Sequence, residues 1–279
     1  FSSRRRHTRF RNVTGVQTCA LPILNLGAQS LVFETDSPLL KSYFTSTPNL
    51  NELKHNPHIK ILSLDLVAET DWMKQSRESF KPILIGDHFR IVPKWLEIVP
   101  QDSRWNIRMN PGLAFGTGGH ETTRLCARFI EKIVKEFSLH SLLDVGCGTG
   151  LLALMASLIG IEKVTALDHD PDCENCIQEL LADNQHLNPQ PQFDYVIGSL
   201  DDPKITGRYD CVVANILLET IIELLPSFIQ HLNKGGHLIV SGIPSTQVDE
   251  AAIQLILGGL QIHSIQTEGS WVALHARLN

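Results

Sequence analysis

The heptapeptide DVGCGTG at 144–150 sets glycines at 146, 148 and 150, and the next strand-like run, KVTALD, closes on Asp168. Glycine at a strand-to-helix turn lets a ligand approach the backbone, and the helix beyond offers free N–H groups. A carboxylate at the end of the following strand can accept both hydroxyl hydrogens of a ribose. Together these residues suit a nucleoside cofactor. A nicotinamide dinucleotide is disfavoured, because its fingerprint spaces the glycines G-x-G-x-x-G, whereas this turn reads Gly146-Cys147-Gly148-Thr149-Gly150.

Two more segments could take part in chemistry. MNPGLAFGTGGHETT at 109–123 carries Phe115 and the glycines 116, 118 and 119, then His120, with Thr122 and Thr123 opening a helix. Lying before the cofactor strand, it is expected to close over the cofactor and shield it from water. A histidine in such a loop is more often structural than catalytic, so His120 is not assigned as a base. YDCVVANILLET runs from a strand into a helix at Asn215. That asparagine either caps the helix or serves the site at the strand's end.

These residues need a frame. From Ser138 onward, SLLDVG, KVTALD, QFDYVIGS, YDCVVAN and HLIVSGI alternate with helix-length segments such as LLALMASLIG and DCENCIQELLADNQ. The alternation predicts an α/β fold, a doubly wound and mainly parallel sheet. LQIHSIQTEGSWVALHARLN predicts an antiparallel pair joined at Glu268-Gly269, and ILIGDHFRIVPKW two strands meeting at Gly86-Asp87. Upstream, SLVFET and IKILSLDLV read as strands of a small α+β unit over 24–66, with NELKHN as a helical turn between them. ETDWMKQSRESF suits a linker helix within 67–81, leaving 82–279 as the cofactor-binding domain.

Residues 1–23 hold five arginines, no acid and no initiator methionine. VTGVQTCALPI within them back-translates without a mismatch to a sequencing-library adapter, so this segment is expected to be artefactual and disordered and is set apart from the functional argument. Without its arginines, nineteen Lys plus Arg face thirty Asp plus Glu, a net charge of −11. That balance predicts no direct nucleic-acid binding and suits a basic partner. No apolar run is long enough to span a membrane. The scattered cysteines predict reduced thiols and a cytoplasmic protein, and Cys173 and Cys176, lacking a second C-x-x-C, predict no metal site.

The D-x-G-x-G-x-G form resembles the first motif of class I methyltransferases, which bind S-adenosyl-L-methionine. P-G-L-A-F-G-T-G-x-H-x-T-T, D-V-G-C-G-T-G, V-V-A-N-I-L, SGIPSTQ at 241–247 and DWMKQSRESFKPI occur in the order found in the methyltransferases of large-subunit ribosomal protein eleven. The resemblance covers 24–279. It implies a seven-stranded methyltransferase sheet preceded by a small ferredoxin-like domain that recognises substrate, here truncated. It also implies methylation of lysine side chains, and of an N-terminal amine, in that ribosomal protein by a monomer. Cofactor contacts carry over to Thr123, Gly146, Asp168 and Asn215, with Gly148, Phe115 and Gly116 beside them. Asn215 would also position the amine. Asn110 replaces the aspartate some members place before Pro-Gly. The alternatives are another protein lysine or small amine as acceptor, and a ribosome-associated binding protein without activity.

Overall fold

The computed structural model describes residues 30–33, 40–43, 81–98, 102–110 and 118–279. The chain divides into two compact units, 1–73 and 74–279. In the first, β1 (Ser30–Phe33) pairs antiparallel with β2 (Leu40–Tyr43), Ser30 opposite Tyr43. The second strand falls between SLVFET and NELKHN, where no strand is expected because LKSY has too little apolar pattern to signal one. IKILSLDLV, NELKHN and, apart from Lys81, the linker segment lie outside the described residues.

The second unit opens with a three-stranded sheet. β3 (Ile83–Ile85) and β4 (Phe89–Pro93) form the expected hairpin, and β5 (Trp105–Met109) lies parallel to β4. Gly86 turns the chain at φ +56°, and a Cβ there would fall 1.8 Å from Glu131 Oε2. That buried carboxylate accepts the N–H groups of Asp87 at 3.0 Å and His88 at 2.9 Å. The turn therefore requires glycine, and the buried glutamate is satisfied by the turn.

β5 alternates Trp105, Ile107 and Met109 with Asn106 and Arg108, pairs with β4 along one side, and meets a side chain along its other side. Fully buried Asn184 accepts the Arg108 N–H at 2.7 Å and donates to the Arg108 carbonyl at 2.7 Å and the Leu180 carbonyl at 2.8 Å. It takes the place of a further strand on the side of β5 that faces away from β4. Asn184→Ala is expected to leave both Arg108 backbone groups without partners, costing about 2–3 kcal/mol in urea unfolding. A loss below about 0.5 kcal/mol would contradict this role.

After helix α1 (Glu121–Glu136) come β6 (Ser141–Val145), α2 (Leu151–Leu158), β7 (Lys163–Asp168), α3 (Asp172–Asp183), β8 (Asp194–Ile197) and β9 (Tyr209–Asn215). Then follow α4 (Leu218–His231), β10 (Leu232–Pro244), α5 (Val248–Leu257), β11 (Leu260–Glu268) and β12 (Trp271–Leu278). The seven strands lie in the order β11-β12-β10-β9-β6-β7-β8. Five neighbouring strands, β10 through β8 in that order, run parallel, and β12 lies antiparallel to both β10 and β11. Successive side chains of a strand face opposite sides of the sheet. Leu142, Cys211, Val213 and Ile239 accordingly pack with α1 and α2, while Leu143, Val212, Leu238 and Val240 pack with α4 and α5. The result is a helix–sheet–helix sandwich with its strand order reversing at β6.

Candidate functional site

That reversal opens a crevice at the carboxyl ends of the strands, where ligands of open α/β sheets bind. β6 lies between β7 and β9, with Val145 level with both Leu167 and Ala214. Gly146 therefore emerges between Asp168 and Asn215. Adjacent strands are about 4.8 Å apart, so the aspartate and asparagine stand about 10 Å from each other.

The glycine turn is tied down at its start, with the N–H groups of Gly146 and Cys147 both reaching the Leu167 carbonyl, at 2.8 and 3.1 Å. Gly146, Gly148 and Gly150 have φ of +71°, +54° and +80°, values that side chains strongly resist. A Cβ on Gly146 would also come 2.4 Å from Ile216 Cγ2. Gly150 starts α2 with no side-chain cap. Three of the five turn positions thus present bare backbone, while Cys147 and Thr149 are buried.

Asp168 is held from both sides. Its Oδ2 accepts the Gly148 N–H at 2.8 Å and its Oδ1 accepts the Asp170 N–H at 3.0 Å. An ionised carboxylate has about four acceptor positions, so capacity remains for a vicinal diol.

Asn215 ends β9 beside Ser241 of β10, and its Nδ2 donates to Thr123 Oγ1 at 3.4 Å. The helix beyond begins only at Leu218 and has no side-chain cap, so the capping alternative for Asn215 is wrong. Asn215 Oδ1 is buried without a hydrogen-bond partner. A buried acceptor left open costs about 1–3 kcal/mol, which a donor from a substrate or cofactor would recover.

Thr123 is buried in the first turn of α1. The helix opens at Glu121, one residue before the expected threonines, because His120 is its cap: His120 Nδ1 accepts the Thr122 N–H at 3.3 Å. Gly118 packs against the three-stranded sheet and α2 together, since a Cβ there would lie 3.0 Å from Ile85 and Ile91 and 3.3 Å from Leu151. The structure therefore brings Thr123, Gly146, Gly148, Asp168 and Asn215 together. Phe115 and Gly116 lie outside the described residues.

Sequence reasoning missed Asp144 as a separate group. It sits in the all-buried strand SLLDV with Oδ2 unpartnered. Burial drives its carboxyl up to about 7, with a hydrogen bond from the Ala153 backbone pulling down and the charge of Asp168 pushing up. A single carboxylate inside an apolar strand was the available signal.

Two buried histidines have the opposite effect. His237 and His275 join Nδ1 to Nε2 at 2.8 Å across β10 and β12. Burial, followed by nearby cationic and histidine groups, lowers them to about 4 and about 3. As pH rises from about 4 toward 7, the folded state retains the Asp144 proton that the unfolded chain has lost, so stability falls. From about 4 to 6.5 the unfolded chain binds protons that the histidines refuse, so stability rises. The slope is at most about 1.4 kcal/mol per pH unit for each group. Asp144→Asn is expected to remove the falling component, leaving a steeper rise between pH 4 and 6.5 in denaturant melts. An unchanged slope would refute a proton held at Asp144.

Among the described residues no cluster of histidine, cysteine and acid could hold a metal, and Cys173 and Cys176 are free thiols. Burial leads the causes that raise Cys173 to about 12, so it stays protonated.

A seven-stranded sheet with one antiparallel strand inserted beside its edge, a glycine turn after the central strand and an aspartate ending the next define a class I S-adenosyl-L-methionine-dependent methyltransferase. The orphan acceptor on Asn215 and the backbone left bare at Gly146 and Gly148 fit that cofactor's nucleoside and cationic end. Residues 26–279 match the model of the ribosomal protein L11 methyltransferase (PrmA) family, and the chain belongs to that family. A ribosomal protein L11 methyltransferase from Clostridium botulinum is 36% identical over 218 residues, which cover 78% of this chain and 67% of the relative. One from Desulforamulus reducens is 32% identical over 252 residues, covering 87% and 80%. The crystal structure of a ribosomal protein L11 methylase from Lactobacillus delbrueckii subsp. bulgaricus superposes with a TM-score of 0.64 at 32% identity. The match covers 72% of this chain and all of that one.

Proposed function

We infer that this chain transfers methyl groups from S-adenosyl-L-methionine to amines of ribosomal protein L11, chiefly lysine side chains and also an N-terminal amine. The observation that carries this reading is the unpartnered, buried Oδ1 of Asn215 beside the glycine turn, in a chain of this family. Asp168 would hold the ribose hydroxyls, Gly146 and Gly148 would let the cofactor lie against the backbone, and Thr123 would contact it from α1. Phe115 and Gly116 rest on the family resemblance alone.

The bound cofactor supplies an electrophilic methyl group on a sulfonium. The chain must supply a neutral, aligned amine. At a reference pKa near 10.4, a lysine is neutral at pH 7 in about one part in 10³, a cost of roughly 4 to 5 kcal/mol. A closed site next to a cation lowers that pKa and offsets part of the cost. Asn215 Oδ1 can accept an amine N–H and so turn the nitrogen lone pair, and such alignment supplies much of the rate. His120 caps α1 and is not assigned a proton-transfer role.

In this reading residues 24–66 recognise substrate, 67–81 link, and 82–279 catalyse. The enzyme works as a cytoplasmic monomer without binding nucleic acid directly. The charge of −11 over 24–279 supports a basic protein substrate. Among the described residues no helix is long and apolar enough to cross a membrane. The test is incubation of the chain with methyl-labelled cofactor and a mixture of large-subunit ribosomal proteins. Acid-stable label on lysines of L11 is expected, whereas label confined to other proteins would overturn the substrate assignment.

A further inference from the structure

The tip of the β11–β12 hairpin grips the first two turns of α1. Glu268 accepts from Arg124 Nε at 2.6 Å and Arg124 Nη2 at 2.5 Å, and its other oxygen accepts from Arg128. Arg124 Nη1 also reaches the Gly119 carbonyl at 2.5 Å, at the end of the glycine-rich segment before α1. Trp271 sets its ring against His120 with centroids 4.9 Å apart, and a Cβ on Gly269 would meet Glu121 at 3.7 Å.

Holding the helix on the sheet does not require this grip. Leu125, Phe129, Ile130 and Ile133 of α1 are already buried in the core, and a partly exposed ion pair adds little global stability. What the grip adds is local. It fixes the turn that carries Thr123, and Thr123 Oγ1 is the partner that turns the Asn215 amide so that Nδ2 is engaged and Oδ1 is left open.

We propose that Glu268 is a positioning residue for methyl transfer, acting through Arg124 and the first turn of α1 on the orientation of the Asn215 amide. The proposal rests on the reading that Asn215 orients the acceptor amine. It reaches a residue of the C-terminal hairpin whose partners are Arg124 and Arg128 rather than Thr123 or Asn215.

The test compares Glu268→Ala and Glu268→Gln with Lys135→Ala, which removes the exposed Lys135–Asp87 pair at the other end of α1. Glu268→Ala is expected to lower kcat on L11 about tenfold per folded molecule, with KM for L11 and the melting temperature little changed. Glu268→Gln, which keeps an acceptor, recovers most of the rate, and Lys135→Ala matches wild type. In an Asn215→Ala background, Glu268→Ala costs no more than about twofold further, because both act along one route. A kcat loss that tracks folded fraction, or full additivity with Asn215→Ala, overturns the proposal. Should wild type transfer nothing to L11, the substrate reading fails. The Asn215 side-chain amide resonance in nuclear magnetic resonance spectra then decides the inference, with a shift in Glu268→Ala supporting it and an unmoved resonance overturning it.

Discussion

Asn215→Ala is expected to lower kcat about 10²-fold, the scale on which misplacing a reacting group slows an enzyme. Stability should not fall in parallel. The wild-type amide spends only a 3.4 Å hydrogen bond on Thr123 and leaves Oδ1 buried without a partner. Removing an unsatisfied acceptor relieves a cost, so the melting temperature should hold or rise. Calorimetric titration with S-adenosylhomocysteine should show affinity falling by much less than kcat, since Asp168 and the glycine turn remain. Turnover equal to wild type would end the assignment. A collapse in stability would instead make Asn215 a structural residue.

The second large effect is expected at a residue without a side chain. Gly242, in the irregular stretch of β10 between Val240 and Ile243, has φ +86°. A Cβ there would lie 2.2 Å from the Ile216 carbonyl oxygen, 2.8 Å from its carbon and 3.0 Å from its nitrogen. Backbone cannot step aside as a side chain can. The left-handed conformation alone costs roughly 1–2 kcal/mol for an ordinary residue, and overpacking adds about 1–3 more. Gly242→Ala should therefore lose about 3 kcal/mol or more in urea unfolding, and because Ile216 follows Asn215, turnover should fall with it. Gly160 has φ +98° but nothing within 4 Å of its would-be Cβ. Gly160→Ala is expected to cost only the conformational part. Equal losses at the two positions would refute the close approach of β10 to Ile216.

Local features are legible in the sequence. Strand and helix repeat within a few residues, so all five parallel strands and the closing hairpin were legible, as was the Gly146–Gly150 turn. Asp168 was legible because it ends a strand at a recognisable distance from that turn. What was missed depends on partners distant along the chain. The outer side of β5 is closed by Asn184, 76 residues from Arg108. Glu131 is buried because a turn 44 residues away supplies its donors. The SGIPSTQ motif could be matched by its letters, but the reason for Gly242 is the carbonyl of Ile216, which no pattern within β10 encodes. Asn215 was found at the end of its strand, yet its bond to Thr123 spans 92 residues. Only the fold shows which amide atom is left free.

The decisive measurement is intact-mass spectrometry of purified ribosomal protein L11 incubated with this chain and S-adenosyl-L-methionine. Mass increments of whole methyl groups are expected, requiring the cofactor and nearly vanishing with Asn215→Ala. An unmodified L11 spectrum from a chain that binds S-adenosylhomocysteine normally would contradict this expectation, and would assign the site to a different amine.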